Sequence, residues 1–205
     1  MYSTFLADNT THSTELRDVV EWHQGIQYFG FWAIEISDTA CREKIRVHQA
    51  QLSPLLHPDY LRQPHITLWP AGLMAEQHYN KAKLHLHMTQ LIDAKMPAFS
   101  LWLSSVNSFM HCPYLAVSDP LGNLNRLRQH LSYIDSADSP MSYTPHVTLG
   151  FYNQAYPSSD LVTEFVKLNW ADIEFRVTEL IFAQYKTKDI QGPYQVLHRI
   201  RLAST

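Results

Sequence analysis

The feature that most limits what this chain can become is a five-residue string that occurs twice. Residues 64–68 read Pro-His-Ile-Thr-Leu and residues 145–149 read Pro-His-Val-Thr-Leu, with starts 81 residues apart (145 − 64). Each copy lies in a short apolar stretch that reads as a β-strand. Along a strand, residues i and i+2 face one way while i+1 and i+3 face the other. His65 and Thr67 are therefore expected on one face with Ile66 and Leu68 sent into a core; His146 and Thr148 are expected to sit likewise over Val147 and Leu149. Two copies of one pattern point to two lobes descended from a duplicated unit.

The remaining elements fit around these two strands. The run from Tyr28 to Ile36 is aromatic and β-branched and reads as a buried strand. Asp38 or Thr39 caps a helix through about Leu52, ended by Pro54. Leu84, Met88, Leu91 and Ile92 give helical spacing within Glu76 to Lys95. Phe99 to Phe109 and Tyr114 to Val117 read as a hairpin or meander, and Pro120 opens a helix with the stripe Leu124, Leu127, Leu131 and Ile134. His146 to Tyr152 reads as a strand and Leu161 to Leu168 as a short helix. Two last strands, near Glu174 to Tyr185 and Tyr194 to Leu202, are joined across Gly192-Pro193. Hairpins imply antiparallel pairing, so the expected class is α+β. Residues 1–24 are polar and lack a period; they read as an N-terminal extension, part helical or disordered, before a single bilobal domain over 25–205.

Composition narrows the function classes. Lys+Arg number 16 against 19 Asp+Glu, a net charge of −3, so the basic excess of a protein that tracks long nucleic acid is missing. A nucleic-acid substrate is then expected to be a terminus, a short oligonucleotide or a single nucleotide. Cys41 and Cys112 stand far apart and read as free thiols of a reducing compartment. Residues 1–27 contain Asp8, Glu15, Arg17, Asp18 and Glu21 and no apolar signal core, and no stretch approaches a membrane span. The expectation is a cytoplasmic monomer with no membrane partner.

Two imidazoles and two hydroxyls converging on one cleft suit a phosphodiester. One His can deprotonate the attacking oxygen while the other protonates the leaving oxygen, because imidazole titrates near working pH. The Thr67 and Thr148 hydroxyls can donate to non-bridging oxygens as charge builds. The scheme needs no metal and no cofactor. We assign His146 as base and His65 as acid, with nothing in the sequence deciding strongly between the two orders. Other histidines read blandly. His85 and His87, two apart on a helix, point to different faces and belong to a solvated surface. His111-Cys112 lacks the further ligands of a metal site, and Cys112 reads as a buried strand residue.

On His65-Ile66-Thr67-Leu68 and His146-Val147-Thr148-Leu149, the chain resembles the 2H phosphoesterase superfamily, closest to the group of 2′-5′ RNA ligase-like proteins and cyclic nucleotide phosphodiesterases. The opening strand and the Gly192-Pro193-Tyr194 turn before the last strand support the resemblance, which spans about residues 28–202. It implies a bilobal fold, two pseudo-symmetric antiparallel β-sheets forming a central cleft with helices outside. It also implies chemistry on 2′,3′-cyclic phosphates, 2′-5′ linkages or ADP-ribose cyclic phosphate, in small nucleotides or at RNA termini. The chain departs from the pattern at Gly150-Phe151, where some members carry a basic residue, and at Trp69-Pro70. Tyr28, Trp32, Tyr143, Phe151, Tyr185 and Tyr194 are candidates to stack a nucleobase, with Lys186 and Arg62 candidates for outer phosphates. Two other readings stay open: a metal-dependent hydrolase using the same histidines as ligands, and a non-catalytic module that binds nucleotide or RNA.

Overall fold

The computed structural model describes residues 2–132, 143–168 and 171–203. Its eight strands form two four-stranded sheets, each antiparallel throughout. The first sheet takes β1 (Tyr28–Glu35), β2 (His65–Leu73), β7 (Glu179–Lys186) and β8 (Tyr194–Arg201) in the order β2-β1-β7-β8. The second takes β3 (Phe99–Ser108), β4 (Pro113–Ser118), β5 (His146–Thr148) and β6 (Ile173–Val177) in the order β5-β4-β3-β6. The strands that carry the repeated string, β2 and β5, are thus the same edge of two similar sheets, and they lie beside one another.

Helices α3 (Thr39–Leu52), α4 (Lys81–Asp93), α5 (Asn123–Ser132) and α6 (Ser158–Lys167) connect and cover the strands. Asp38 caps α3 by accepting from the Cys41 N–H at 2.8 Å, and Pro54 turns its end into a single 3-10 turn. Asn80 does the same for α4, accepting from the Lys83 N–H at 3.1 Å, so that helix begins at Lys81 and not at Glu76. His87 on α4 is fully buried and not on a solvated surface: it accepts from the Tyr79 hydroxyl (2.7 Å) and donates to the Leu131 carbonyl (2.9 Å), a bond that ties α4 to α5. His85 is exposed, as its place on the other side of the helix requires.

One main core fills the space between sheets and helices, drawing on Trp32, Ile66, Leu68, Leu101, Leu115, Val147 and Leu127. A smaller cluster of Phe31, Ala33, Ile181, Ala183 and Tyr194 covers the opposite face of the first sheet. That sheet is therefore apolar on both sides, and the smaller cluster becomes the floor of the cleft. The chain crosses from one sheet to the other at Thr178, between β6 and β7. The single strand expected over 174–185 is in fact two, because periodicity shows a run's pattern but not which sheet supplies its partner. The strand expected over 146–152 is also shorter, ending at Thr148, since Gly150 turns with φ +153°.

Residues 2–24 carry two one-turn helices, α1 (Ser3–Leu6) and α2 (Val20–His23); the stretch with α1 lies against the second lobe and α2 lies against the first sheet. Phe5 is buried in the core, Thr11 N–H donates to the Tyr156 carbonyl (2.8 Å), and Thr14 N–H donates to the Tyr152 carbonyl (3.0 Å). Among the described residues, no helix is long and apolar enough to cross a membrane.

Candidate active site

The alternation expected of the two motif strands is present in both. Ile66 and Leu68 are fully buried, as are Val147 and Leu149, while His65, Thr67, His146 and Thr148 are half-buried on the other face. Each imidazole is fixed by the same backbone device. His65 Nδ1 lies 2.8 Å from the Gln63 carbonyl and His146 Nδ1 lies 2.7 Å from the Thr144 carbonyl. A carbonyl oxygen only accepts, so Nδ1 carries the hydrogen in both rings, and Nε2 is left as the nitrogen that exchanges a proton.

Because β2 is an edge strand, carbonyls not used in its ladder need partners elsewhere. Two residues of the second lobe supply them. Tyr143 Oη–H donates to the Thr67 carbonyl at 2.9 Å, and Arg128 Nη1 donates to the Leu68 carbonyl at 2.6 Å. The Arg128 guanidinium stacks over the Tyr143 ring, 4.0 Å from its centroid. Tyr143 stands three residues before His146, so the segment leading into one motif is bonded to the backbone of the other.

A cavity of about 210 Å³ opens over this junction, lined by His65, Thr67, Thr148, Arg62 and the rings of Phe29, Phe31, Tyr60, Phe151 and Tyr185. Arg62 lies 3.8 Å over the Tyr185 ring and donates to the carbonyls of Gly192 (3.0 Å) and Asp189 (3.3 Å), which fixes its positive charge at the rim. Phe151 meets Tyr60 edge to face at 5.7 Å. Gly150 makes that placement possible: a β-carbon there would sit 2.8 Å from Leu56 Cδ1, in a backbone conformation that side chains resist.

The two histidines differ in surroundings. His65 packs against Phe31 (5.2 Å) and Tyr194 (5.3 Å), whereas His146 packs against Phe109 (4.9 Å) and Tyr114 (5.4 Å). Burial pushes the His65 pKa down to about 4; the bond to the Gln63 carbonyl opposes this, and the charges of Arg62 and of His146 add to it. His146 is also lowered by burial, against the bond to the Thr144 carbonyl. Burial raises the phenols of Tyr60 and Tyr185, so both stay neutral donors. Among the described residues, no group of three or more His, Cys, Asp or Glu side chains is arranged to hold a metal ion.

Of the six aromatic candidates, Phe151 and Tyr185 line the cavity. Trp32 does not: it is 0% exposed, its indole N–H donates to the Tyr79 hydroxyl at 3.3 Å, and it has no face to offer a base. Tyr194 is buried beneath His65 and donates to Glu35 Oε1 at 3.1 Å, so it backs the imidazole without meeting the cavity. Tyr143 braces Thr67, and Tyr28 lines a separate hollow with His23 and Lys186. Phe29, Phe31 and Tyr60 went unnamed in the sequence reading. The parity of β1 carries the signal for the first two, since they alternate with the core residue Trp32.

With the geometry in place, a model of the 2′-5′ RNA ligase superfamily matches residues 37–189, a span that contains both motifs. The chain belongs to this superfamily. Solved structures similar to this 2′-5′ RNA ligase superfamily member agree on the fold. A protein described as a phosphoesterase is 18% identical, with a TM-score of 0.59 over 85% of this chain and 98% of that one. Apo LigT of E. coli is 18% identical, with a TM-score of 0.58 over 87% and 99%. TT0787 of Thermus thermophilus is 14% identical, with a TM-score of 0.56 over 86% and 98%. No curated protein matches the chain. Membership places it among phosphoesterases.

Proposed function

We propose that the chain is a metal-independent phosphodiesterase acting on 2′,3′-cyclic phosphates or 2′-5′ linkages of small nucleotides or RNA termini, through His65, Thr67, His146 and Thr148. The observation that carries this reading is the matched pair of Nδ1–H bonds to the Gln63 and Thr144 carbonyls, which holds two imidazoles in one tautomer on adjacent edge strands, with His65, Thr67 and Thr148 lining one cavity. A neutral His65 accepts a proton from water through Nε2 as the water attacks phosphorus. Protonated His146 donates from Nε2 to the departing ribose oxygen, and the next turnover begins when the two protons are redistributed. Thr67 and Thr148 hydroxyls donate to the non-bridging oxygens as charge grows, and Arg62 supplies positive charge at the rim. These roles reverse the order assigned from sequence; the motive is that burial and the nearby Arg62 charge favour the neutral form of His65. LigT has been crystallised with 3′-AMP and with phosphate, which supports a nucleotide phosphate as the ligand class for the shared fold.

The test is cleavage of the four 2′,3′-cyclic nucleotides and a 2′-5′-linked dinucleotide in excess EDTA, with His65→Ala and His146→Ala alongside. Cleavage is expected to persist in EDTA and to fall by about 10²–10⁴-fold in either variant. Loss of all turnover on chelation would move the metal-dependent reading to the front. Tight binding of these ligands without turnover would favour a non-catalytic module.

A further inference from the structure

Resting on that reading, we infer that Trp22 is the outer rung of an aromatic platform that holds a second nucleobase, making an oligoribonucleotide end a better substrate than a mononucleotide. The platform starts at the catalytic ring. Phe31 lies 5.2 Å from His65, Tyr185 5.9 Å from Phe31, Phe29 5.5 Å from Tyr185, and Trp22 5.7 Å from Phe29 with planes inclined by 35°. The first three rungs line the cavity that holds His65, Thr67 and Thr148. Trp22 packs on Phe29, the last of these rungs, and is 39% exposed.

Its segment is held firmly. In α2 the neighbouring His23 is buried; its Nδ1 accepts from the Gly25 N–H (3.1 Å), so its Nε2 donates to Asp18 Oδ1 (2.6 Å). Between Trp22 and β1, Thr187 N–H donates to the Gln27 carbonyl (3.0 Å) and its hydroxyl donates to the Ile26 carbonyl (2.7 Å). A ring placed by these bonds costs little further ordering when a base stacks on it. Stacking reads a base's face and not its edge, so this position is tolerant of base identity. Trp22 lies outside the span matched by the superfamily model, residues 37–189.

The experiment compares wild type, Trp22→Leu and Trp22→Phe on a nucleoside 2′,3′-cyclic phosphate and on a trinucleotide ending in the same group. Binding of a 5′-labelled trinucleotide 3′-phosphate is measured by fluorescence polarisation alongside. In Trp22→Leu the ratio of kcat/KM for trinucleotide over mononucleotide is expected to fall about tenfold, through KM, and Kd for the labelled trinucleotide to rise by about the same factor. Trp22→Phe keeps a ring and loses less, and it carries the test if the leucine variant melts early. An unchanged ratio with an unchanged Kd overturns the second-base site. If wild type opens no cyclic phosphate yet Trp22→Leu still weakens trinucleotide binding, the catalytic reading falls and the base site stands. If wild type opens the cyclic mononucleotide yet does not bind the labelled trinucleotide, the base site falls and the catalytic reading stands.

Discussion

His65 and His146 each donate Nδ1–H to the carbonyl two residues before, and each is followed two residues later by a threonine on an edge strand, yet their rings meet different company. His65 is sealed between Phe31 and Tyr194 and feels Arg62; His146 leans on Phe109 and Tyr114 and has no such cation among the groups that shift it. The local sequence determines what is alike in the two copies, namely tautomer and strand face. Tertiary neighbours determine what differs, namely how readily each ring takes a proton. The repeated string supplies two equivalent groups and packing makes them unequal, as the proposed acid–base chemistry would require.

The sharpest way to break this comparison is a change of leaving group. On a cyclic phosphate both alanine variants lose about 10²–10⁴-fold. A p-nitrophenyl phosphodiester expels an oxygen that needs no proton, so His146→Ala should recover most of its loss there while His65→Ala should not. Steady-state rates on both substrates check this, and equal recovery in the two variants would show that the division of roles is wrong. Next in size come the threonines. Thr67→Val and Thr148→Val keep shape and remove a hydroxyl; each is expected to lower kcat by about 10²-fold with a smaller change in KM, as for donors that act on developing charge. A loss confined to one of them would mean that only one lobe binds the non-bridging oxygens.

The smallest effect concerns Arg62. Its charge lowers the His65 pKa, so Arg62→Gln should raise it, and the acidic limb of kcat/KM should move upward from about 4. The sign follows from the role: a base is lost as it gains a proton, so a higher pKa removes activity at a higher pH. Rates near pH 5 should therefore suffer more than rates near pH 8. A limb that stays in place while KM rises would reduce Arg62 to a phosphate contact.

Much of this arrangement was legible in the residues themselves. The parity of Pro-His-Ile-Thr-Leu and Pro-His-Val-Thr-Leu placed four polar groups outward and four apolar ones inward, and both strands obey it. The antiparallel pairing of the strands near 99–117 was legible as a hairpin or meander, and the cap of α3 was narrowed to Asp38 or Thr39, of which Asp38 makes the bond. The aromatics were harder, because Tyr28 to Ile36 is apolar at every position but Gly30 and Glu35 and alternation cannot say which face meets a cleft. Trp32 and Phe31 are neighbours in sequence, yet one fills the main core and the other floors the cavity. Arg128 and Tyr143 were out of reach for another reason: their partners are main-chain carbonyls of residues 60 and 76 positions away, which leave no side-chain pattern to read. Ile134, the last member of the α5 stripe, lies outside the described residues.

The bond from Tyr143 to the Thr67 carbonyl has a consequence for how such a molecule can diversify. It works as a spacer between two halves that share no ladder of backbone bonds at that point. A phenol sets one gap between the motifs, and a shorter or longer side chain at that position would set another without altering any reacting group. If His65 and His146 act as proposed, that side chain, with the Arg128 bond beside it, would help set the reach between them. Selection on substrate could work there while both reactive strings stay as they are.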